Sequence, residues 1–254
     1  SPGGADTTLH LYTLPAMHAD RGDVDRSGAA IQEMFAAVAP RYDLLNHLLS
    51  AGLDLVWRRR AAAALALAPD SRALDLCCGT GDQAVVLQRR GARVVAADFC
   101  LPMLSLAEQK YADLNGSRPR GLAGDALAVP IASGSIAGVT AAFGLRNVAD
   151  LDGALAEAVR VLEAGGRAAF LEFALPRNPL LTRPYLFYFR RILPLIGRAV
   201  SPKGSAYTYL PASVENFPQR QDFVTRMLEA GFDTAAWEDL SGGIVCLYTG
   251  AKNR

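Results

Sequence analysis

The sequence predicts an α/β fold: a seven-stranded, mostly parallel sheet with helices on both faces and the last strand antiparallel. Three observations predict it. Apolar, β-like runs alternate with helical patterns from residue 73 onward. The first run ends in a glycine turn, Cys78-Gly79-Thr80-Gly81. A short link, Ser241-Gly242-Gly243, joins the last two runs as a hairpin would.

The elements follow in order. Gly28 to Ala39 has helical spacing, with Ile31, Met34, Phe35 and Val38 on one face, and Pro40 stops it. A second helix is expected over Leu55 to Leu67, with Arg58, Arg59 and Arg60 as its solvated start. Strands are expected at 73–77, 93–97, 120–123, 136–142 and 167–173. Helical patterns fill the gaps at 82–90, 102–113 and 152–163, and Gly165-Gly166 reads as the last helix's C-terminus. Strands at 233–239 and 244–250 complete the seven.

One segment breaks the alternation. Leu180 to Val200 stands between the fifth and sixth strands. At about 100° per residue, Arg183, Arg190, Arg191 and Arg198 fall within an arc of roughly 100°, and the other faces are apolar. Pro194 would kink this helix. It reads as a cap on the domain, as a gate resting on an anionic membrane surface, or as both.

Bulk composition narrows the function. A net charge of +1 over 254 residues points to no nucleic-acid partner. Cys77, Cys78, Cys100 and Cys246 lack CxxC spacing, and only three histidines exist. Neither a disulfide framework nor a metal site is expected, and the thiols suit a reducing cytoplasm. Residues 1–27 hold no apolar core of a signal peptide and read as a flexible tail. Residues 28–254 read as a single domain.

The glycine turn carries the chemistry. In an open parallel sheet, ligands sit at the carboxyl ends of the strands, where strand order reverses. The turn follows the first strand and loosely fits a dinucleotide pattern. Its charges argue otherwise. Asp82 stands where a pyrophosphate would need the free N–H groups of a helix start. Asp98, after the second strand, suits the hydroxyls of a ribose. Asp125, after the third, suits an adenine amino group. With carboxylates and backbone, and no basic residue for phosphate, the pocket fits S-adenosylmethionine. Asp75 would orient the turn, and Gly79, Thr80 and Gly81 would admit the methionine end. The fold is thus expected to be the Rossmann-like one of class I S-adenosylmethionine-dependent methyltransferases.

From about Ile31 onward the sequence resembles the ubiquinone/menaquinone-biosynthesis C-methyltransferases, the UbiE/MenG type. RYDLLNHLLSAGLDLVWRR at 41–59 is similar to that family's signature Y-D-x-M-N-x-x-x-S-x-G-x-H-x-x-W. Tyr42, Asp43, Asn46, Ser50, Gly52 and Trp57 match, while Leu45 replaces Met and Asp54 replaces His. FGLRNV at 143–148 matches its hallmark, and RVLEAGGR, LEF and YTYLPASVENFP are also similar. The resemblance implies C-methylation of a polyprenyl quinol, demethylmenaquinol or its benzoquinol counterpart. It also implies a helical lid over 28–68, and the insertion reads as a cap over 174–215.

It further points to particular residues. Arg146 would hold the ring oxyanion, directly or through a water; a salt bridge pinning its loop is the alternative. Asn147 would fix the ring or that water. Tyr42 would shield the sulfonium or contact the quinol. On the cofactor side, Phe99, Met103 and Ala126 would join Asp98 and Asp125. Ala142 stands where the family often has serine, one hydrogen bond fewer. His47, outside the matched positions, reads as a surface residue.

Overall fold

β1 (Arg72–Leu76) lies inside a seven-stranded sheet ordered β3-β2-β1-β4-β5-β7-β6. The computed structural model describes residues 32–36, 39, 42–114, 116–187, 191 and 205–253. The other strands are β2 (Arg93–Asp98), β3 (Arg120–Ala123), β4 (Ile136–Ala142), β5 (Leu162–Phe173), β6 (Thr234–Leu240) and β7 (Val245–Ala251). β1 pairs in parallel with β2 and β4, β2 with β3, and β4 with β5. β7 runs antiparallel to both β5 and β6. The antiparallel last strand follows from the short 3₁₀ link Ser241–Gly243, too short for a crossover.

Side chains alternate between two cores with the period of a strand. Leu74, Phe170 and Tyr248 face one core; Ala73, Leu171 and Leu247 face the other. The first core is closed by α5 (Leu151–Val161) and α8 (Gln221–Glu229), through Leu155 and Phe223. The second is closed by α2 (Leu53–Ala64), α3 (Asp82–Arg89) and α4 (Leu101–Ala112), through Trp57, Leu87 and Tyr111. Residues 32–36 are helical, and α1 (Tyr42–Leu49) precedes α2. The insertion contains α6 (Pro179–Phe187) and α7 (Ser205–Asn216).

Two expectations change. α5 ends at Val161, and Gly165-Gly166 lies within β5 instead of closing the helix. The partner of Ile136 is Leu162 but that of Gly138 is Arg167, so the glycines sit in a bulge. Backbone bonds from Gly165 N to Lys252 O and from Lys252 N to Gly166 O hold it. Arg58 is buried instead of lying on a solvated face, whereas Arg59 and Arg60 are exposed. The kink at Pro194, and Arg190 and Arg198 of the basic arc, lie outside the described residues, as does the tail over 1–27.

Candidate active site

The parallel strands bring four turns to one edge of the sheet. Sheet order reverses between β1 and β4, and a cavity opens at that edge. Its floor is the turn after β1. Cys77 and Gly79 have positive φ, and Gly81 caps α3 with φ 83°. A Cβ at Gly81 would lie 2.2 Å from the Tyr111 hydroxyl, so both conformation and space demand glycine. Cys78 N donates to Ala97 O, and Gly81 N to Cys78 O.

Asp98 organises this floor. Its Oδ2 accepts from Gly79 N at 2.7 Å and its Oδ1 from Cys100 N at 2.8 Å. Burial raises its pKa above the ordinary carboxylate value, against the pull of those backbone donors. An ionised carboxylate has about four acceptor positions, so capacity remains for a ligand hydroxyl. Asp125 accepts from Leu127 N at 3.0 Å and is otherwise exposed at the cavity wall. Phe99, Met103 and Ala126 line the same end.

The opposite wall comes from the turn after β4. Ala142, Phe143, Gly144 and Asn147 all line the cavity. A Cβ at Gly144 would lie 2.4 Å from Cys77 Cβ, so the two turns pack backbone to backbone. The Phe143 ring stacks on Phe173 at 4.6 Å. Asn147 Oδ1 is buried without a hydrogen-bond partner.

α1 is pinned across the opening. Tyr42 lines the cavity, and Thr80 Oγ1 donates to Asp43 Oδ1. Lys110 Nζ bridges Asp43 Oδ2 at 2.8 Å and Asp82 Oδ1 at 2.5 Å. Burial pushes the Asp82 pKa up, but Arg58, Lys110 and His47 outweigh it and hold the carboxyl below its ordinary value. Ligand atoms of His47, Asp54 and Asp82 lie within 4.8 Å of one another. His47 Nδ1 meets Asp54 Oδ2 at 2.8 Å, and Ser50 Oγ donates to Asp54 Oδ1 at 2.7 Å. His47, read from the sequence as a surface residue, is partly exposed and paired with Asp54.

The predicted residues separate into those in the cavity and those behind it. Tyr42, Gly79, Thr80, Asp98, Phe99, Met103, Asp125, Ala126, Ala142 and Asn147 line it. Asp75, Gly81 and Arg146 are not among the lining residues. Asp75 is fully buried beneath the turn, where Thr140 Oγ1 donates to its Oδ1 at 3.1 Å and Oδ2 has no partner. Burial raises its pKa to about 7. Arg146 is held in the salt bridge that was the alternative reading. Its Nη1 lies 3.0 Å from Glu172 Oε2 and donates to Phe143 O, while its backbone N donates to Glu172 Oε1.

Sequence reasoning missed Arg58, Phe143 and Glu172. Phe143 and Glu172 were legible as parts of the FGLRNV and LEF motifs. Arg58 also corrects the expectation of a pocket without basic groups, because it lines the cavity. Lys110 and Arg146 are close by but are each bound to carboxylates.

The donor set fits S-adenosylmethionine. Carboxylates at Asp98 and Asp125 offer acceptors to ribose and adenine, apolar groups flank them, and the glycine turn exposes backbone at the other end. The sequence pattern of the ubiE/COQ5 methyltransferase family matches residues 23–252. A demethylmenaquinone methyltransferase of Thermus thermophilus is 48% identical over 222 residues, 86% of this chain and 100% of that protein. One from Deinococcus radiodurans is 47% identical over 91% of this chain and 96% of its own. A ubiquinone/menaquinone biosynthesis C-methyltransferase of Geobacter sulfurreducens is 42% identical, covering 89% of each chain. Among solved structures, an S-adenosylmethionine-dependent methyltransferase of Thermotoga maritima shares the fold with TM-score 0.61 at 19% identity, covering 87% of this chain and 99% of its own. The chain belongs to the ubiE/COQ5 methyltransferase family and is an S-adenosylmethionine-dependent methyltransferase.

Proposed function

We propose that this enzyme methylates a ring carbon of a polyprenyl quinol, converting demethylmenaquinol to menaquinol. The observation that carries this reading is the near-full-length similarity to demethylmenaquinone methyltransferases at 47% and 48% identity. The cavity geometry supports it. S-adenosylmethionine supplies an electrophilic methyl group. The protein must hold the acceptor carbon in line with it and let the phenolic proton pass to water, because the resulting oxyanion enriches the ring carbon in electrons; the ring C–H proton follows to water as aromaticity returns.

Asn147 is suited to the ring oxygen. Its side-chain amide N–H groups can donate to that oxygen as it becomes anionic, while Oδ1 is buried. Tyr42 closes the cavity from α1 and presents a ring face and a hydroxyl to the substrate. Arg146 acts from behind the wall. Paired with Glu172, it fixes the 143–148 turn and places positive charge behind the oxyanion. Asp98, Phe99, Met103, Asp125 and Ala126 hold the adenosine, with Gly79, Thr80 and Ala142 beside it. Asp75 and Gly81 shape the turn.

A polyprenyl substrate resides in a bilayer, and we extend the proposal to peripheral contact with an anionic membrane. α6 exposes Leu180, Leu181 and Phe187, with Arg183 and Arg191 also exposed. No helix among the described residues is long and apolar enough to cross a membrane.

A benzoquinol is the second substrate to consider, since relatives at 42% identity are named for both quinone pathways. Mass spectrometry of quinones from cells lacking the enzyme tests the proposal. Accumulated demethylmenaquinone is the expected result. An unchanged quinone pool would refute the proposal, and an accumulated demethylated benzoquinone would move it to the second substrate.

A further inference from the structure

Arg58 is a buried cation in a cavity wall; Asp54, Asp75 and Asp82 all feel its charge, yet among the described residues no carboxylate hydrogen-bonds to it. It is 7% exposed, yet its Nε has no hydrogen-bond partner. The nearest carboxylate, Asp54, stands 3.8 Å from Nε, beyond hydrogen-bond range, and Asp54 is already bonded to His47 and Ser50. The guanidinium lies over the Phe143 ring, 5.5 Å from its centroid. Burying a guanidinium without a hydrogen-bonded anion is costly, and a ring face only partly offsets that cost.

Position narrows the missing anion. Arg58 lines the same cavity as Gly79, Thr80 and Asp82, the end formed by the turn after β1. Asp98 and Asp125, suited to the nucleoside, follow β2 and β3. S-adenosylmethionine carries one anionic group, the α-carboxylate of its methionine portion. Neighbouring cations are spoken for: Lys110 binds Asp43 and Asp82, and Arg146 binds Glu172. Neither lines the cavity.

We infer that Arg58 is the counter-ion of the cofactor's α-carboxylate, with α2 delivering it to the methionine end of the cavity. The fork of N–H donors on a guanidinium matches a carboxylate in shape. Asp82 and the turn backbone then serve the adjacent ammonium, so that the amino acid's two charges meet opposite charges. The same contact ties α2 to the ligand, so cofactor binding stabilises the N-terminal helices. The inference rests on S-adenosylmethionine being the cofactor.

Calorimetry with three nucleosides tests it: S-adenosylhomocysteine, its decarboxylated analogue and 5′-methylthioadenosine. Wild-type protein should prefer S-adenosylhomocysteine to the decarboxylated analogue by on the order of 10- to 100-fold, the worth of a charge-assisted pair. Arg58→Met should abolish that preference while leaving 5′-methylthioadenosine affinity within about 2-fold, which also reports an intact fold. Arg58→Lys should retain part of the preference. A preference that survives in Arg58→Met overturns the inference. So does an equal loss for all three nucleosides, which would make Arg58 a packing residue. Wild-type protein that binds none of them would instead overturn the cofactor assignment, and the inference with it.

Discussion

Lys110 on α4 holds Asp43 on α1 at 2.8 Å and, with the same ammonium, Asp82 at the start of α3. One side chain thus joins the helix that carries Tyr42 to the helix that follows the cofactor turn. Thr80 completes the tie from the turn itself. Partly buried, solvent-screened pairs of this kind typically contribute about 1 kcal/mol. Lys110→Met should therefore raise amide exchange in α1 by about 5-fold and leave the sheet unchanged. Hydrogen exchange with bound S-adenosylhomocysteine checks this; unaltered protection of α1 would show that the tie carries no stability.

Asp75 makes stability depend on pH. Its folded pKa of about 7 lies above the ordinary 3.8, because burial penalises the charge. The folded state therefore binds the proton more tightly than the unfolded state. The associated stability is present below pH 4 and is lost as pH rises toward 7, by on the order of a few kcal/mol. Asp75→Asn stays neutral throughout. Its melting temperature relative to wild type should rise between pH 5 and pH 8. A difference that is flat with pH would contradict the assignment.

The Arg146–Glu172 pair separates positioning from packing. Glu172→Ala leaves a buried guanidinium unpaired and should cost about 3–5 kcal/mol. Replacing both, with Arg146→Met and Glu172→Leu, should recover most of that stability in denaturant titrations. Turnover of a short-chain demethylmenaquinol should stay low in the double variant, because the 143–148 turn is no longer fixed and the charge is gone. Recovery of turnover with stability would reduce the pair to a structural brace.

Gly81→Ala meets two penalties. The left-handed backbone costs about 1–2 kcal/mol. The new methyl also collides with the Tyr111 ring, and overpacking costs about 1–3 kcal/mol more. Thermal unfolding should show the sum, and in the Tyr111→Ala background Gly81→Ala should cost only the first part. Additive damage from the two changes would deny the contact.

Membrane contact is expected to depend on α6. Phe187→Ser combined with Leu180→Ser should lower co-sedimentation with anionic vesicles several-fold, and added salt should release the wild type. Equal sedimentation of both proteins would remove α6 from any such surface.

The strand count, the antiparallel last strand and the cavity's place were legible because they depend on local pattern. Alternating apolar residues, a hairpin-length link and a glycine turn are each confined to a few neighbouring residues. Most of the cavity lining was legible for the same reason, since residues just past the strand ends must share one edge. Gly165-Gly166 misled because a bulge and a helix end use the same glycines, and only strand register distinguishes them.

By itself, then, the sequence determined the sheet, the edge on which ligands bind and the family signatures at residues 41–59 and 143–148. Tertiary structure alone decided which charges are engaged. Arg146 was withdrawn into a pair with Glu172, and Lys110 was spent on two aspartates. Arg58, one of three consecutive arginines, was turned inward with its Nε left without a hydrogen-bond partner. The physical reason is that charge pairing acts across space, between residues as far apart as Asp43 and Lys110, and no local pattern of residues records it.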